Sequence, residues 1–196
     1  AAPPIESGYV EAELDFLGLA GLLDPPRAEA AAAIADCASA GIVPVMITGD
    51  HPETARAIAQ RLGLLNEHGE VLTGAELAKM PDAEFARHVR TVRVYARAAP
   101  EHKIRIVQAL QSQGQFVAMT GDGVNDAPAL RAADIGVAMG AAGTDTAMEA
   151  ADVVVMNDDL RRIAETVRLS KFTHAVLWQN IALALGIKAV FLVLAV

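Results

Sequence analysis

Short apolar runs alternate with longer amphipathic stretches along most of this chain. Runs of a few β-branched or apolar residues bounded by turn residues predict buried strands, and apolar positions three or four apart predict helices. Strands are therefore expected at Asp15–Leu22, Ile42–Thr48, Glu70–Gly74, Val92–Arg97, Gln115–Thr120, Asp134–Met139 and Asp152–Asn157. An alanine-rich helix is expected over Arg27–Ala40, behind Pro25 and Pro26 and stopped by Gly41. A second runs over Pro52–Leu64, with proline at its first position and Gly63 at its end. Two short helical pieces, AELAKM and DAEFARHV, are separated by Pro81. A longer helix over Pro100–Gly114 carries Ile104, Val107 and Leu110 on one face. Strands alternating with helices in this way predict an α/β domain, a Rossmann-like, mostly parallel sheet flanked by helices.

The pattern changes near the end. Asp158–Asn180 predicts a helix with both faces populated, and Ile181–Val196 then carries a single charge, Lys188. Counted back to Val176, the run reaches about the twenty residues that a membrane span needs. Trp178 stands where an indole suits the interface. The competing reading is the buried last helix of a soluble protein. No polar outward face beyond Ile181 supports it, and a helix entering the membrane is the expectation. Lys188, costly in lipid unless it faces a partner or a pathway, is a transport-pathway candidate.

Composition narrows the classes. With 196 residues, 53% of them hydrophobic, the chain has enough apolar material for one ordinary core. A net charge of −8 argues against nucleic acid as a partner, because phosphate contacts require clustered Lys and Arg. The single cysteine, Cys37, excludes an internal disulfide framework and is expected as a small core residue of a reducing compartment. The five histidines lack metal-ligand spacing and are expected as solvated or capping residues. Met46, Met119, Met139 and Met156 are expected in the core. The chain opens on Ala1 and reads as a cut-out piece.

Two expected strands end alike, in Thr48-Gly49-Asp50 and Thr120-Gly121-Asp122, each followed by a helix led by Pro52 or Asn125. In open α/β sheets ligands bind at the carboxyl ends of the strands. Glycine there allows a sharp turn and close approach, threonine offers a hydroxyl, and helix amino ends favour anions. Aspartates repel phosphate but bind Mg2+, a hard cation that shares carboxylates, phosphate oxygens and waters. Asp122 and Asp126, with Asn125 between them, thus predict a metal-and-phosphoryl site.

The stretch TGDGVNDAPAL (Thr120–Leu130) resembles the hinge signature of the P-type cation-transporting ATPases, within the haloacid-dehalogenase-like superfamily. DPPR (Asp24–Arg27), MITGD (Met46–Asp50), ARAAPEHK (Ala96–Lys103), AADIGVAMG (Ala132–Gly140) and GTDTAMEAADVVV (Gly143–Val155) follow the family's order, so the resemblance covers nearly the whole chain from about Leu14. It implies an ATP-driven pump that forms an aspartyl phosphate with Mg2+ and hydrolyses it to move a cation across a membrane. On the matching positions, Asp122 would ligate Mg2+ and Asp126 would support that ligation. Thr48 and Lys103 would hold phosphoryl oxygens, and Asn125 would add an amide contact. Gly49, Asp50 and Arg97 would face the nucleotide, with Arg27 near it or near the domain hinge.

One departure matters. The family's nucleophile lies in an Asp-Lys-Thr-Gly stretch, and this sequence has none. The resemblance therefore implies a fragment, inactive alone, whose partners are the nucleotide domain, the actuator domain and the membrane helices of the same pump, with the transported metal cation and lipid. Residues 1–13 are expected to end the nucleotide-domain connection, 14–160 to form the second part of the phosphorylation domain, and 161–196 to run as a stalk helix into the membrane. The α/β part is expected on the cytoplasmic side of a plasma or inner membrane. Segments such as VLTGAELAKMPDAEFARHV resemble calcium-type pumps, whereas QNIALALGIKAVFLVLAV resembles the heavy-metal group, and the zinc/cadmium type is favoured because the membrane helix bears on the ion. The reading of another class is a non-transporting phosphatase or regulatory nucleotide-binding module of the same superfamily.

Overall fold

The computed structural model describes residues 15, 17, 18, 26–66, 68–140, 143–157 and 159–194. The strand expected at Asp15–Leu22 falls largely outside them. Helix α1 (Ala30–Ser39) starts later than its alanine run and ends in a Schellman turn. Gly41 N–H donates to Ala38 O at 3.0 Å and Ile42 N–H to Cys37 O at 2.9 Å. Gly41 holds φ at 79°, a left-handed conformation that a side chain resists. Strand β1 (Met46–Ile47) is much shorter than the expected Ile42–Thr48. Pro44 has no N–H to give a ladder, and among the described residues β1 has a neighbour on one side only.

Helix α2 (Pro52–Arg61) follows, its amino end capped by His51, whose Nδ1 accepts from Glu53 N–H at 3.3 Å. Strand β2 (Val71–Thr73) runs into α3 (Gly74–Lys79) through a capping box between Thr73 and Glu76. These hydrogen bonds from Thr73 hold the Glu76 carboxyl below its usual range. Helix α4 (Asp82–His88), β3 (Val94–Ala96) and α5 (Pro100–Ser112) come next. Strand β4 (Ala118–Gly121) leads into a single 3-10 turn at Val124–Asp126 and helix α6 (Ala127–Ala132). Strand β5 (Ile135–Met139), α7 (Asp145–Ala150), β6 (Val153–Val155) and the long α8 (Arg161–Leu194) complete the described elements.

All pairings are parallel, as expected, but they form two three-stranded sheets, β1-β3-β2 and β4-β5-β6, rather than one. Helix α5 joins them. Its Ile106 packs with Leu72, Leu77, Phe85 and Tyr95 of the first half. Its Val107 packs with Met119, Leu130 and Ala138 of the second. This corrects the single apolar face drawn through Ile104, Val107 and Leu110. The helix buries two adjoining rows because it serves two sheets.

Position in the sheet also overrides pattern in the strands. Central β3 is buried on both faces, although Val92–Arg97 alternates in sequence. Strand β4 lies at an edge, so Ala118 and Thr120 are exposed and Phe116 before it is 75% exposed, against the expectation of a buried strand. Met156 lies beyond the end of β6 and is 72% exposed, not core. Cys37 is only half-buried. Burial, then Asp36, pushes its thiol up, with Arg168 easing the shift.

Helix α8 is 34 residues long and its most apolar 18-residue window has mean hydropathy 1.8 with none of it buried. It is long and apolar enough to cross a membrane. Leu160 and Ile163 at its base pack on Val137, Met139 and Val155 of the second sheet. Asp159 accepts from Arg161, which holds its carboxyl down to about 2.

Candidate functional site at the carboxyl ends of the strands

The turn after β4 is shaped by one close approach. A Cβ placed on Gly121 would lie 2.4 Å from Asp126 Cβ and 2.8 Å from Asp126 Oδ2. Only glycine lets the chain fold back so tightly that Asp126 sits against the strand that precedes it. Asp126 is 7% exposed, the one buried charged residue among those described. Its Oδ2 accepts from Gly123 N–H at 3.2 Å. Its Oδ1 lies 2.5 Å from Lys103 Nζ, and the two side chains are 10% and 19% exposed respectively. Lys103 stands in the first turn of α5, so this ion pair ties the helix between the sheets to the rim of the second.

Asp122 differs from Asp126. Its side chain is exposed and makes no hydrogen bond or ion pair among the described residues. Its backbone carbonyl accepts from Thr144 N–H at 2.9 Å, and Thr144 also caps α7 through a bond from Ala147 N–H at 3.3 Å. Thr144 was not among the expected site residues. The Gly-Thr-Asp of Gly143–Asp145, a helix-start signal, was the clue available. Asn125 is exposed within the same turn.

The rim of the first sheet carries the remaining expected residues. Thr48 Oγ1 donates to Asp50 Oδ2 at 2.8 Å and accepts from Asp50 N–H at 3.1 Å, a turn closed on itself around Gly49. Nothing stands within 4 Å of a Cβ built on Gly49, so space there is open. Arg97, at the end of β3, has φ of 51°, the one positive value off glycine among the described residues. A residue in that region costs free energy unless its surroundings fix it. Here Arg97 N–H donates to Asp50 O at 3.1 Å and Ala98 N–H to Thr48 O at 3.0 Å. The next helix start is fixed by His102, whose Nδ1 accepts from Ala99 N–H at 3.0 Å. Thr48, Asp50 and Arg97 thus form one cluster, Lys103 and Asp126 a second, and the short link Ala98–His102 connects them.

Arg27 lies exposed just ahead of α1. Lys188 is exposed on α8, roughly 40 Å along the helix from Arg161 by helical rise. It takes no part in the strand-end cluster.

The donor set fits Mg2+. That ion takes one or two carboxylates and completes its shell with phosphate oxygens and waters. Asp122 is open and Asp126 lies in the same turn. Among the described residues, no three His, Cys, Asp or Glu side chains converge as an all-protein cage. An arrangement of this kind leaves positions for a phosphoryl group and supplies one ammonium, from Lys103, beside it.

Comparison with known proteins identifies the relatives of this chain. The sequence pattern of the haloacid dehalogenase-like hydrolases matches residues 4–134, and a second pattern of the same description matches residues 104–166. The chain is 49% identical over 163 residues to calcium-transporting ATPase 1 of Bacillus cereus, covering 83% of this chain and 18% of that protein. It is 47% identical over 184 residues to cation-transporting ATPase pma1 of Synechocystis, covering 93% and 20%. A crystal structure of a zinc-transporting PIB-type ATPase in its E2.Pi state superposes with a TM-score of 0.67 at 38% identity, over 87% of this chain and 23% of that one. The chain spans about a fifth of the length of the curated relatives it matches. With a parallel α/β fold, paired acids at the strand ends and these relatives, the chain belongs to the haloacid dehalogenase-like hydrolase family and is homologous to the P-type cation-transporting ATPases.

Proposed function

We propose that this chain is the Mg2+- and phosphoryl-binding part of an ATP-driven cation pump that works through an aspartyl phosphate. The observation that carries the reading is the pair Lys103–Asp126 in a turn with the open Asp122. A fixed cation stands beside two carboxylates of different availability, at the carboxyl ends of parallel strands. Asp122 and Asp126 would hold Mg2+, which when bound neutralises charge on the transferred phosphoryl group. Lys103 and Thr48 bind phosphoryl oxygens, and Asn125 adds an amide contact. Gly49, Asp50, Arg97 and Arg27 face the nucleotide of ATP.

No Asp-Lys-Thr-Gly stretch occurs in this sequence, so the nucleophilic carboxylate comes from another segment of the pump. The edges of β1 and β4 carry no second neighbour among the described residues, which supports a further parallel strand there. Nucleotide, actuator and membrane parts of the same pump are the partners. Helix α8 enters the lipid and the α/β part lies on the cytoplasmic side.

Zinc or cadmium is the cargo under this reading, exported across the membrane. The resemblance of QNIALALGIKAVFLVLAV, with Lys188 in it, to the heavy-metal group supports that choice, and a charge on an apolar helix is itself a pathway or partner candidate. Calcium is the second reading, supported by the name of the 49% identical relative.

The experiment is phosphorylation of the full-length protein by labelled ATP. An acid-stable, Mg2+-dependent phosphoprotein that disappears in Asp122→Asn is expected, with turnover stimulated by Zn2+ or Cd2+ rather than Ca2+. Stimulation by Ca2+ alone selects the second reading. Phosphate release by this chain on its own, abolished by Asp122→Asn, would point instead to a non-transporting phosphatase.

A further inference from the structure

Helix α1 ends with a local electrostatic deficit. Its last turn holds no basic residue and carries Asp36, an acid at the negative end of the helix dipole. The Schellman turn satisfies the carbonyls of Cys37 and Ala38. Ala40 N–H serves the carbonyl of Asp36 at 3.0 Å, and two cations from α8, three residues apart on one face, add positive charge to this helix end. Arg168 donates to Asp36 O at 3.3 Å and to Ser39 Oγ, and its guanidinium lies 3.5 Å from Asp36 Oδ1. Lys171 Nζ donates to Ala40 O at 2.8 Å. The sequence separation across these bonds is about 130 residues.

The position of this contact gives it a consequence. The base of α8 is fixed to the second sheet by Leu160 and Ile163. Farther along, Arg168 and Lys171 fix it to α1, whose chain leads through Gly41 and Pro44 into β1 and then Thr48 and Asp50. One helix therefore holds both the second sheet and α1, the helix whose chain leads into β1, and its apolar end continues away from them.

We propose that Arg168 and Lys171 are positioning residues. They form a joint that makes the direction of α8 follow the segment carrying Thr48 and Asp50. Both contacts are solvent-accessible, so each adds little to stability. Their effect is on orientation, since two donors three residues apart fix a helix against rotation as well as separation. The inference rests on the pump reading, because it ties events at the phosphoryl site to a helix that enters lipid.

The test is R168A/K171A in the full-length pump reconstituted in vesicles, scored as cation moved per ATP hydrolysed. The expected result is Mg2+-dependent hydrolysis retained and transport per ATP reduced about fivefold or more. The conservative R168K/K171R restores the ratio, because either cation can reach a carbonyl oxygen. An unchanged ratio in the double alanine variant overturns the joint. So does loss of phosphorylation in a variant that melts like the wild type, which would place these residues in the chemistry. If the double variant does not fold, K171A alone is read by the same criterion. If the wild type neither hydrolyses ATP nor moves a cation, the pump reading falls. The joint is then read in this chain by pulsed electron paramagnetic resonance between labels at Gln113→Cys and Gly186→Cys in a Cys37→Ser background. A distance distribution that broadens in R168A/K171A supports it, and one that does not broaden overturns it.

Discussion

Lys103 Nζ lies 2.5 Å from Asp126 Oδ1 with both side chains largely withdrawn from water. The pair links α5, which packs on both sheets, to the turn that follows β4. Removing the ammonium leaves a buried carboxylate with Gly123 N–H as its remaining partner. Lys103→Met should therefore destabilise the fold by about 1–3 kcal/mol. Asp126→Asn added to it should restore part of the loss. Urea unfolding of the two single variants and the double variant measures this coupling, and additive losses would mean the contact carries none.

Asp122 and Asp126 should respond differently to the same change. Asp122 is exposed, so Asp122→Asn should leave stability within about 0.5 kcal/mol. It should also remove any rise in melting temperature that Mg2+ produces in the wild-type chain. Asp126→Asn should lower stability with or without the ion. Melting curves at graded Mg2+ separate the two. Retention of the Mg2+ effect in Asp122→Asn would remove that residue from the ion's shell.

Gly121→Ala puts a methyl 2.4 Å from Asp126 Cβ. Either the turn opens or Asp126 leaves Lys103. The expected cost is about 1–3 kcal/mol, in the range of overpacking, together with loss of the Mg2+ response. Gly49→Ala, with open space around it, is the control and should cost less. Equal losses in the two would mean that backbone freedom, not the contact with Asp126, sets the requirement.

Tyr95 is buried and its hydroxyl has no hydrogen-bond partner among the described residues. Burial pushes its phenol well up from the ordinary value of 10.0. The neutral form is favoured in the fold, so this contribution is complete below pH 10 and declines as alkali ionises the unfolded chain. Of the two tyrosines in the sequence, Tyr95 should titrate only as the fold opens, seen as phenolate absorbance rising together with loss of helical dichroism. Tyr95→Phe should be neutral or stabilising by up to about 1 kcal/mol.

At the acid end, Asp159 is held from 3.8 down to about 2, first by its side-chain hydrogen bond from Arg161. A depressed carboxyl stabilises the fold above its ordinary value and loses that contribution as pH falls toward 2. Asp159→Asn should lower stability slightly at neutral pH, flatten the acid limb of the stability curve between about 4 and 2, and converge with the wild type at its acid end. An acid limb that keeps its steepness would show the pair to be without weight.

Much of the candidate site was legible because its residues are adjacent in sequence. Asp122, Asn125 and Asp126 fall in one turn, and Thr48, Gly49 and Asp50 in another, so spacing alone placed each group at a strand end. The ion pair of Lys103 with Asp126 was not legible. A lysine in the first turn of a helix is usually solvated, and only the packing of α5, through Ile106 and Val107, onto the two sheets aims it at the second rim. The positive φ of Arg97 was hidden for a similar reason, since the bonds that hold it come from Asp50 and Thr48 across the sheet.

The sequence by itself determined the order and type of most of the described elements, α7 excepted, the parallel α/β class, the helix stops at Gly41, Gly63 and Gly114, and the apolar character of α8. Those follow from local periodicity and backbone preference, which act over a few residues. The tertiary structure decided which strands are central and which lie at an edge, and so why β3 is buried on both faces while Phe116 and Thr120 are exposed. It also decided the division into two sheets and the grip of Arg168 and Lys171 on α1. Burial and partner choice depend on neighbours dozens of residues away, and no local pattern carries that information.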